Sequence, residues 1–505
     1  MNSILPKFDT PFISATEKYL ELSEYLQSTK TSTMTISELE SFLSCEGREL
    51  MRRLLEEHLK MRGFGDVGKS IIGSDGIKRS YKQLRPRKLI TIFGKITITR
   101  MGYSYPGESS LFPLDAILNL PIDIYSHGIR KAVAFEVSKN SFSEAIDSIK
   151  RFTGVNVHKR QAEVLSQKAA QDFDEYYEQM CTSFQLEEAK KLPLLVLTTD
   201  RKGIVVRKAD LTFAPRKQSE RSQKKLNKRL SKFDPKNRKR MASVASVYQI
   251  ERWVRTPESL SYEFANKGKP LNRPRPQAKR VWASLEKTSE QVIYELFEEA
   301  SRRDPEKQKQ WVCLVDGDPN QLERLKKIIK NLAVPVVIIL DIIHVIEYLW
   351  KAARVFHEEA NKASEKWVSK RLLEILRGKA SLVAGGMRRS ATLLKIEPPS
   401  IQPVDTCANY LLKYSHYLRY NEYLEQGMPI ATGVIEGACR YLVKDRMDIT
   451  GARWSLSGAE AILKLRSLSA RGDFDDYWKF HEHQEFYRNH FVQYFEPAIL
   501  EEFSK

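Results

Sequence analysis

Three short apolar runs, each followed at once by an aspartate, constrain the fold of this chain more than any other feature. The runs cover residues 192–199, 311–315 and 334–340, and the aspartates after them are Asp200, Asp316 and Asp341. Short apolar runs that alternate with helical patterns are typical of buried strands in a mixed α/β sheet. Ligands of such sheets gather at the carboxyl ends of strands. The pattern therefore predicts a sheet with an acidic, ligand-binding edge.

The neighbouring segments complete the predicted core. Gly203–Arg207 is predicted to be the hairpin partner of the first strand and Ala242–Ile250 a further strand, which makes 311–315 the fourth. Residues 262–282 carry three prolines among Lys and Arg residues, which favours a loop. Helical patterns cover 284–302, 320–332 and most of the chain from 343 to 470.

Helical and hairpin patterns precede this core. Residues 12–62 have the apolar spacing of helices, and Ser37–Glu40 resembles a capping box. Leu89–Arg100 alternates β-branched residues around Gly94, which predicts a hairpin. We expect these patterns to form a helical and β-hairpin region over residues 1–125.

A helix, a short glycine turn and a second helix follow. Ser141–Glu144 is a capping box, and the helix that it opens ends near Gly154. Helix-turn-helix proteins that read the major groove of DNA share this pattern, so we predict that Lys159, Arg160 and Gln161 contact DNA. An ordinary helical hairpin has the same pattern and is the alternative.

The charge balance favours a polyanionic partner. The 505 residues include 83 Lys and Arg against 64 Asp and Glu, a formal net charge of +19. Residues 216–240 are especially rich in Lys and Arg; they are interpreted as a loop that neutralises DNA phosphates, or as a solvated loop without that role. The sequence has no apolar run of about 18 residues and no signal-peptide pattern, so we expect no membrane partner.

The five cysteines are scattered and include no Cys-x-x-Cys pair, which argues against a zinc site or a disulfide framework. Carboxylates at strand ends are better candidates for a site of magnesium, which prefers hard oxygen ligands. Two such ions catalyse phosphoryl transfer when carboxylates converge on them from distant parts of a chain. Asp200, Asp316 and Glu436 are the candidates, and a strand-end Asp that caps a simple turn is the alternative for the first two.

Several motifs resemble a known family. They are Leu111–Asp115, Leu118–Pro121, Ser141–Ala145, Thr153–Gly154, Asp200–Gly203, Lys239–Ala242, Ser246–Tyr248, Asp341–His344, Glu347–Trp350 and the long stretch Gly433–Trp454. Through them most of the chain resembles the DDE transposases of bacterial insertion sequences, most closely the ISKra-type family, a relative of the Mutator-like group. Arg201 departs from the pattern, because this family often has Gly after the first Asp.

The resemblance implies an RNase H-like catalytic core in which Asp200, Asp316 and Glu436 bind Mg²⁺ or Mn²⁺, as two ions. It also implies that Asp341 and His344 form the accessory Asp-x-x-His signature. An alternative makes Asp341 the second metal ligand. For His344, the alternative is a core histidine bonded to Asp341.

The helix of Glu436 is predicted to present a basic face to DNA. Arg440 follows Glu436 by one turn and Lys444 by about two. Three further residues would extend this face, namely Arg446, Arg453 and Trp454. Ordinary salt bridges on the helix, and a tryptophan buried in the core, are the alternatives.

The resemblance implies a DNA transposase that cleaves and joins strands at terminal inverted repeats, works as a homo-oligomer on double-stranded DNA, and resides in the bacterial cytoplasm with the nucleoid. A structure-specific nuclease on the same fold and a non-catalytic DNA-binding regulator are the alternatives. The expected fold class is multidomain α/β plus α-helical. The expected regions are 1–125, a helix-turn-helix-like region 126–185, the first part of the core 186–345, a helical insertion 346–430, and a C-terminal helical part of the core 431–505.

Overall fold

The structure is a computed structural model that describes residues 12–180, 192–221, 239–265, 273–332, 334–358, 361–449 and 451–494. The chain divides into two compact units. Unit 1 consists of Met1–Tyr176 and Gly472–Lys505, and unit 2 of Tyr177–Arg471. Residues 472–505 thus belong with the N-terminal part, whereas the sequence analysis joined them to the core as part of 431–505.

The helices and strands are named in chain order. The α-helices are α1 (Ile13–Gln27), α2 (Ile36–Met61), α3 (Pro113–Ile117), α4 (His127–Lys139), α5 (Phe142–Thr153), α6 (Lys159–Ala169), α7 (Phe173–Met180), α8 (Phe213–Arg221), α9 (Pro257–Ala265), α10 (Ser289–Arg303), α11 (Pro319–Asn331), α12 (Ile342–Phe356), α13 (Lys362–Leu376), α14 (Ala380–Leu393), α15 (Gln402–Lys413), α16 (Tyr420–Glu425), α17 (Gly433–Ala438), α18 (Asp445–Met447), α19 (Leu456–Arg471) and α20 (Phe474–Asn489). The strands are β1 (Ile71–Ile72), β2 (Lys78–Arg79), β3 (Tyr81–Thr91), β4 (Gly94–Ser104), β5 (Leu194–Val205), β6 (Lys239–Ile250), β7 (Gln277–Ser284), β8 (Gln310–Val315) and β9 (Val336–Leu340).

Unit 2 is built on a mixed five-stranded sheet with the order β7-β6-β5-β8-β9. β5, β6 and β7 form an antiparallel meander, and β8 and β9 run parallel to β5. β5 and β8 are buried over their apolar runs, as expected for central strands. Helix α10 packs on β6, and α19 packs on β7.

Two sequence predictions for this sheet were wrong. β5 does not end at Asp200 but continues to Val205, so Gly203–Arg207 is no hairpin partner; its actual antiparallel partner is β6, which pairs with it from Leu194↔Ile250 to Val205↔Lys239. The buried apolar run ends near Asp200, but backbone pairing with β6 carries the strand further. The predicted loop 262–282 contains the end of α9 and the beginning of β7, which starts directly after the last proline of the segment, Pro276.

Unit 1 contains the long β3–β4 hairpin and a group of packed helices. Helix α5 ends at Gly154, which has a positive φ of 71°, and α6 begins at Lys159, so the predicted helix, turn and helix are confirmed. Helices α4, α5 and α6 pack against one another. The predicted capping box at Ser37 begins instead at Thr35, whose hydroxyl accepts a hydrogen bond from the backbone N–H of Glu38.

The C-terminal helix α20 belongs to unit 1. Arg130 of α4 donates a 2.7 Å hydrogen bond to Glu485, and Asp172 lies 2.6 Å from His481. Of the described residues, no helix is both long enough and apolar enough to cross a bilayer. Most of the basic run 216–240 lies outside the described residues, so its predicted role as a phosphate-binding loop stays a prediction.

Candidate active site

Asp200, Asp316 and Asp341 lie near one another at the ends of the parallel register of the sheet in unit 2. The parallel register of β8 and β9 ends with Val315↔Leu340, so Asp316 and Asp341 follow at equivalent positions. The register of β5 and β8 includes Thr198↔Leu314, so Asp200 and Asp316 each lie two residues beyond this pair. Three acids that are distant in sequence therefore lie on three adjacent strands.

The turn that carries Asp316 is held from two sides. Oδ1 of Asp316 accepts a 2.9 Å hydrogen bond from the backbone N–H of Asp318, and Gly317 has a φ of +91°. The hydroxyl of Tyr410 donates to the carbonyl of Asp316 at 3.0 Å, and that of Tyr414 to the carbonyl of Gly317 at 2.7 Å. The half-buried carboxylate of Asp316 thus sits on a turn whose backbone is fixed by the helical segment.

Asp341 has different surroundings, because it is fully buried. Its carboxylate accepts three hydrogen bonds: from the backbone N–H of Ile343 at 3.2 Å, and from the backbone N–H and hydroxyl of Thr432 at 3.1 and 2.5 Å. Burial raises the pKa of Asp341, and the bonds from Thr432 and Ile343 oppose that shift. Asp341 caps α12 and fastens the segment that leads into the helix of Glu436.

A third tyrosine fixes the end of β9. Tyr420 of α16 is fully buried, and its hydroxyl donates a 2.7 Å hydrogen bond to the carbonyl of Leu340. Together, Tyr410, Tyr414 and Tyr420 bond the backbone at the ends of β8 and β9. The segment 346–430, which was predicted as a helical insertion, therefore supports the acidic edge.

Glu436 lies on α17, which packs against β5 and β6. The side chain of Glu436 is exposed, but partial desolvation still raises its pKa. The nearby carboxylates of Asp341, Glu347 and Asp200 raise the pKa further, against the opposing effect of His344. Glu436 and Asp200, which are distant in the sequence, therefore lie close enough for their charges to interact.

Asp200 is bonded to the helical turn after Glu436. The thiol of Cys439 lies 3.2 Å from Oδ2 of Asp200 and donates to it, while Oδ1 accepts from the backbone N–H of Arg201 at 2.6 Å. Burial raises the pKa of the Cys439 thiol, and the Asp200 carboxylate raises it further, so Cys439 stays protonated as a donor. Cys439 stands within the Gly433–Trp454 motif, but its chemistry alone did not indicate a role beside a carboxylate.

His344 does not bond to Asp341, so the alternative interpretation of His344 as a core histidine bonded to that residue is wrong. Its side chain is 36% exposed, and its Nδ1 lies 3.6 Å from Oε2 of Glu347, one turn further along α12. Glu347 is more than half exposed and adds a carboxylate that sequence reasoning had not assigned to the site.

The helix of Glu436 is not a regular α-helix. After α17 the residues Cys439–Lys444 form a π-helix, a rare element that is frequent at functional sites. The guanidinium of Arg466 donates to the carbonyls of Tyr441 and Leu442, the latter at 2.9 Å, and so satisfies backbone acceptors in this stretch. The wider turn means that the α-helical spacing used to align Arg440 and Lys444 with Glu436 does not apply here.

The predicted DNA-contacting residues divide by exposure. Arg440, Lys444 and Arg453 are exposed in unit 2, and Lys159, Arg160 and Gln161 are exposed at the beginning of α6 in unit 1. Arg446 and Trp454 are buried, with the Arg446 guanidinium 4.9 Å from the centre of the Trp454 ring. Trp454 Nε1 also donates to the carbonyl of Met447 at 3.1 Å, so these two residues do not belong to an exposed surface as predicted.

The edge supplies the oxygen ligands that magnesium or manganese prefers. Within the described ranges, however, no three His, Cys, Asp or Glu side chains stand close enough together to hold a metal ion as they are. The donor chemistry of Asp200, Asp316 and Glu436 fits such an ion.

Comparisons with known proteins add little to this geometry. No family model matches the chain, and no curated protein matches it. Among solved structures, it is similar to the Drosophila P element transposase strand transfer complex, with a TM-score of 0.21 and 10% identity over 73% of this chain and 82% of that chain. A likeness this weak carries no argument about fold or function.

Proposed function

We propose that the chain is a DNA transposase whose catalytic residues are Asp200, Asp316 and Glu436. The observation that carries the proposal is the convergence of these acids: Asp200 lies within β5, Asp316 directly follows the adjacent parallel strand β8 at the same level, and the pKa of Glu436 is raised partly by Asp200. Carboxylates that repel one another at a sheet edge are suited to a cationic ligand.

The order of the sheet supports an RNase H-like core. Such a core has an antiparallel three-stranded meander followed by two strands parallel to its first strand, and the order β7-β6-β5-β8-β9 agrees with that arrangement. Asp200 on the first strand, Asp316 after the fourth and Glu436 on a later helix are the positions that the family resemblance requires.

Asp316 and Asp341 are the two candidates for the second metal ligand beside Asp200. Their surroundings favour Asp316. Asp341 is 0% exposed and its oxygens already accept three hydrogen bonds, so it presents no accessible oxygen to a metal at the edge. Asp316 is half-buried at the edge itself, on a turn that Tyr410 and Tyr414 fix. Asp341 then acts as a positioning residue, because it joins the end of β9 to the start of the Glu436 helix.

The proposed reaction is an in-line phosphoryl transfer. Water attacks a phosphodiester at the end of the element, the P–O bond to the 3′ oxygen breaks, and a 3′-hydroxyl is freed. That hydroxyl then attacks a phosphodiester of target DNA; its oxygen bonds to the phosphorus, the P–O bond to the 3′ oxygen of the target strand breaks, and the target 3′-hydroxyl leaves. Two divalent ions, when bound, would stabilise the attacking and leaving oxygens. Asp200, Asp316 and Glu436 would hold them, and the bond from Cys439 would orient Asp200.

The proposed partner is double-stranded DNA, bound as terminal inverted repeats and as target. Arg440, Lys444 and Arg453 are the proposed phosphate contacts beside the site, because they are exposed on and after the helix of Glu436. Lys159, Arg160 and Gln161 at the beginning of α6 are the proposed major-groove contacts. We further propose that the protein acts as a homo-oligomer that pairs two DNA ends.

The test is an assay of products formed from a labelled duplex that carries the ends of the encoding element, with a target plasmid, with and without Mg²⁺. We expect magnesium-dependent nicking at the element end and joined product, both lost in Glu436→Gln. Nicking of branched DNA without joined product would assign the structure-specific nuclease instead. Binding that is equal with and without Mg²⁺, with no cleavage, would assign the regulator. Wild-type rates in Glu436→Gln would remove Glu436 from the mechanism.

A further inference from the structure

The hairpin of β3 and β4 in unit 1 carries cations but no acids. Residues 81–104 include six Lys and Arg and no Asp or Glu, although 64 of the 505 residues in the chain are Asp or Glu. The strands pair along their whole length, from Tyr81↔Ser104 to Thr91↔Gly94, so they form one two-stranded ribbon. The proposed function gives this ribbon no role.

The two faces of the ribbon have different surroundings. Successive side chains of a strand point to opposite faces, and residues paired across the strands share a face. On one face Leu89, Ile96 and Ile98 are buried in a cluster with Leu114 and Leu120. The opposite face, which we call the open face, carries six exposed residues: Leu84, Pro86, Lys88, Lys95, Thr97 and Thr99.

The positive charges of the open face are uncompensated. Lys88 and Lys95 are exposed, and neither forms an ion pair with a carboxylate of the described residues. Because Thr97 pairs with Lys88 and stands two residues after Lys95, the two lysines are diagonal neighbours, about 7–8 Å apart. The acid that contacts Thr97 is Glu56, which accepts the backbone N–H of Thr97 at 3.1 Å and already pairs with Arg52 at 2.8 Å.

A face that is merely solvated does not require this composition. Opposite charges that pair across strands stabilise such a face, and Lys or Pro on an edge strand protects it from aggregation. Neither effect explains why two neighbouring lysines lack an acid, whereas Lys82, further along β3, pairs with Asp66 at 2.7 Å. An uncompensated cationic face is complementary to a polyanion.

We propose that the open face lies in the major groove of duplex DNA, with Lys88 and Lys95 bound to phosphates. The major groove is about 12 Å wide and admits a two-stranded β-ribbon. The hydroxyls of Thr97 and Thr99 would bond to base edges there, and Pro86 would contact the methyl group of thymine. This inference rests on the proposed function only in taking DNA as the partner, because it concerns binding and needs no cleavage.

The experiment is titration of a fluorescein-labelled duplex, which carries the ends of the encoding element, with the full chain at several salt concentrations and without Mg²⁺. We expect Lys88→Gln and Lys95→Gln each to reduce the slope of log affinity against log salt concentration by about 1, and the double variant to reduce it by about 2. The lysine variants should melt at the wild-type temperature, because both side chains are exposed and unpaired among the described residues.

Arg85→Gln is the matched control. Arg85 lies on the same strand and is exposed without an ion pair among the described residues, but the register with Arg100 places it on the opposite face. The control should leave the slope unchanged. An equal loss of slope in Arg85→Gln, or an unchanged slope in the double variant, would overturn the proposal.

The groove is tested with dimethyl sulfate, which methylates guanine N7 in the major groove. Wild type should protect guanines that stay reactive in the presence of the double variant. An RNA duplex has a deep, narrow major groove, so its binding should not depend on the two lysines; equal dependence would overturn the assignment to the major groove. Lysine-dependent DNA binding without cleavage in Mg²⁺ would support the ribbon and count against the proposed function alone, whereas no DNA binding by wild type would overturn both.

Discussion

Asp316 and Asp341 end neighbouring strands in the same sequence context, yet their surroundings differ. Both follow a short apolar strand, and from the residues alone either could be the second metal ligand. The distinction comes from residues far along the chain, because Thr432 occupies the oxygens of Asp341 and Tyr410 fixes the turn of Asp316. Sequence reasoning could identify the acids at the edge but could not tell which one is already bonded.

Replacing Asp341 should destabilise unit 2. In Asp341→Ala, the buried N–H and hydroxyl of Thr432 lose their acceptor, which costs about 1–3 kcal/mol. Urea unfolding of Asp341→Ala, Thr432→Val and the double variant measures the coupling. We expect the double variant to lose clearly less than the sum of the single losses. Strict additivity would show that the pair does not interact.

Gly317 should tolerate no side chain. Its φ is +91°, and an added Cβ would lie 3.1 Å from both Leu340 Cδ1 and the Tyr410 hydroxyl. We expect Gly317→Ala to lower the free energy of unfolding by about 1–3 kcal/mol. Gly385→Ala in helix α14 is the control, since nothing lies within 4 Å of its added Cβ, and it should stabilise by roughly 0.5–1 kcal/mol. Equal effects in the two variants would contradict the account of the Asp316 turn.

At the scale of helices and strands, the sequence predicted most of the elements that local residue patterns specify. It missed features that depend on backbone pairing between strands. The apolar run of β8 and the glycine-terminated helix α5 were predicted because local propensity and burial agree there. The extension of β5 and the existence of β7 were not, because backbone hydrogen bonds to β6 specify both. The π-helix after Glu436 likewise has no signal in local periodicity.

The ion pair between α4 and α20 should make unit 1 sensitive to acid. Burial by itself would raise the pKa of Glu485, but Arg130 more than offsets it, and the pKa falls to about 2 from its ordinary value of 4.5. The stabilisation is therefore fully present above pH 4.5 and is lost as the pH falls from there to about 2. We expect Glu485→Gln to cost roughly 3 kcal/mol at pH 7, because Arg130 would stay buried and keep only the more distant carboxylate of Asp123, 3.9 Å from its Nε.

The measurement is urea unfolding of wild type and Glu485→Gln at pH 7 and at pH 3. The difference between them should shrink at the lower pH, because Glu485 is protonated there in the unfolded chain but still largely ionised in the folded protein. Asp476→Asn on the same helix is the control, since its ion pair with Lys479 is exposed and should be worth less than about 1 kcal/mol. A difference that stays constant with pH would contradict the role given to the charge.

At the scale of the whole molecule, the net charge of +19 was the sequence feature that most favoured a nucleic-acid partner. The effect of this charge on nucleic-acid binding depends on which basic residues are exposed, and the sequence alone did not predict their exposure. Arg446 and Lys444 are close neighbours in sequence, yet one is buried against Trp454 and the other is exposed. The sequence also did not predict that α20 belongs to unit 1. This placement depends on contacts between residues more than 300 positions apart, such as the hydrogen bond from Arg130 to Glu485.

The salt dependence of DNA binding should separate Lys444 from Arg446. If Lys444 contacts a phosphate, Lys444→Gln should reduce the slope of log affinity against log salt concentration by about 1. Arg446→Gln should leave the slope unchanged and lower the stability instead, because its guanidinium stacks on the buried Trp454 ring. Fluorescence anisotropy between about 50 and 200 mM salt measures the slopes. A smaller slope in Arg446→Gln alone would contradict the division by exposure.

The measurement that tests the central claim most directly compares Asp316→Asn with Asp341→Asn in magnesium-dependent nicking of a labelled element-end duplex. Asparagine is used in both variants because it keeps an oxygen acceptor for Thr432 at position 341 while removing the charge that a metal ligand needs. Circular dichroism at the assay temperature confirms that each variant is folded. The account predicts that nicking falls to background in Asp316→Asn and is largely retained in Asp341→Asn. Loss in Asp341→Asn with activity retained in Asp316→Asn would contradict it and move the second ligand to Asp341.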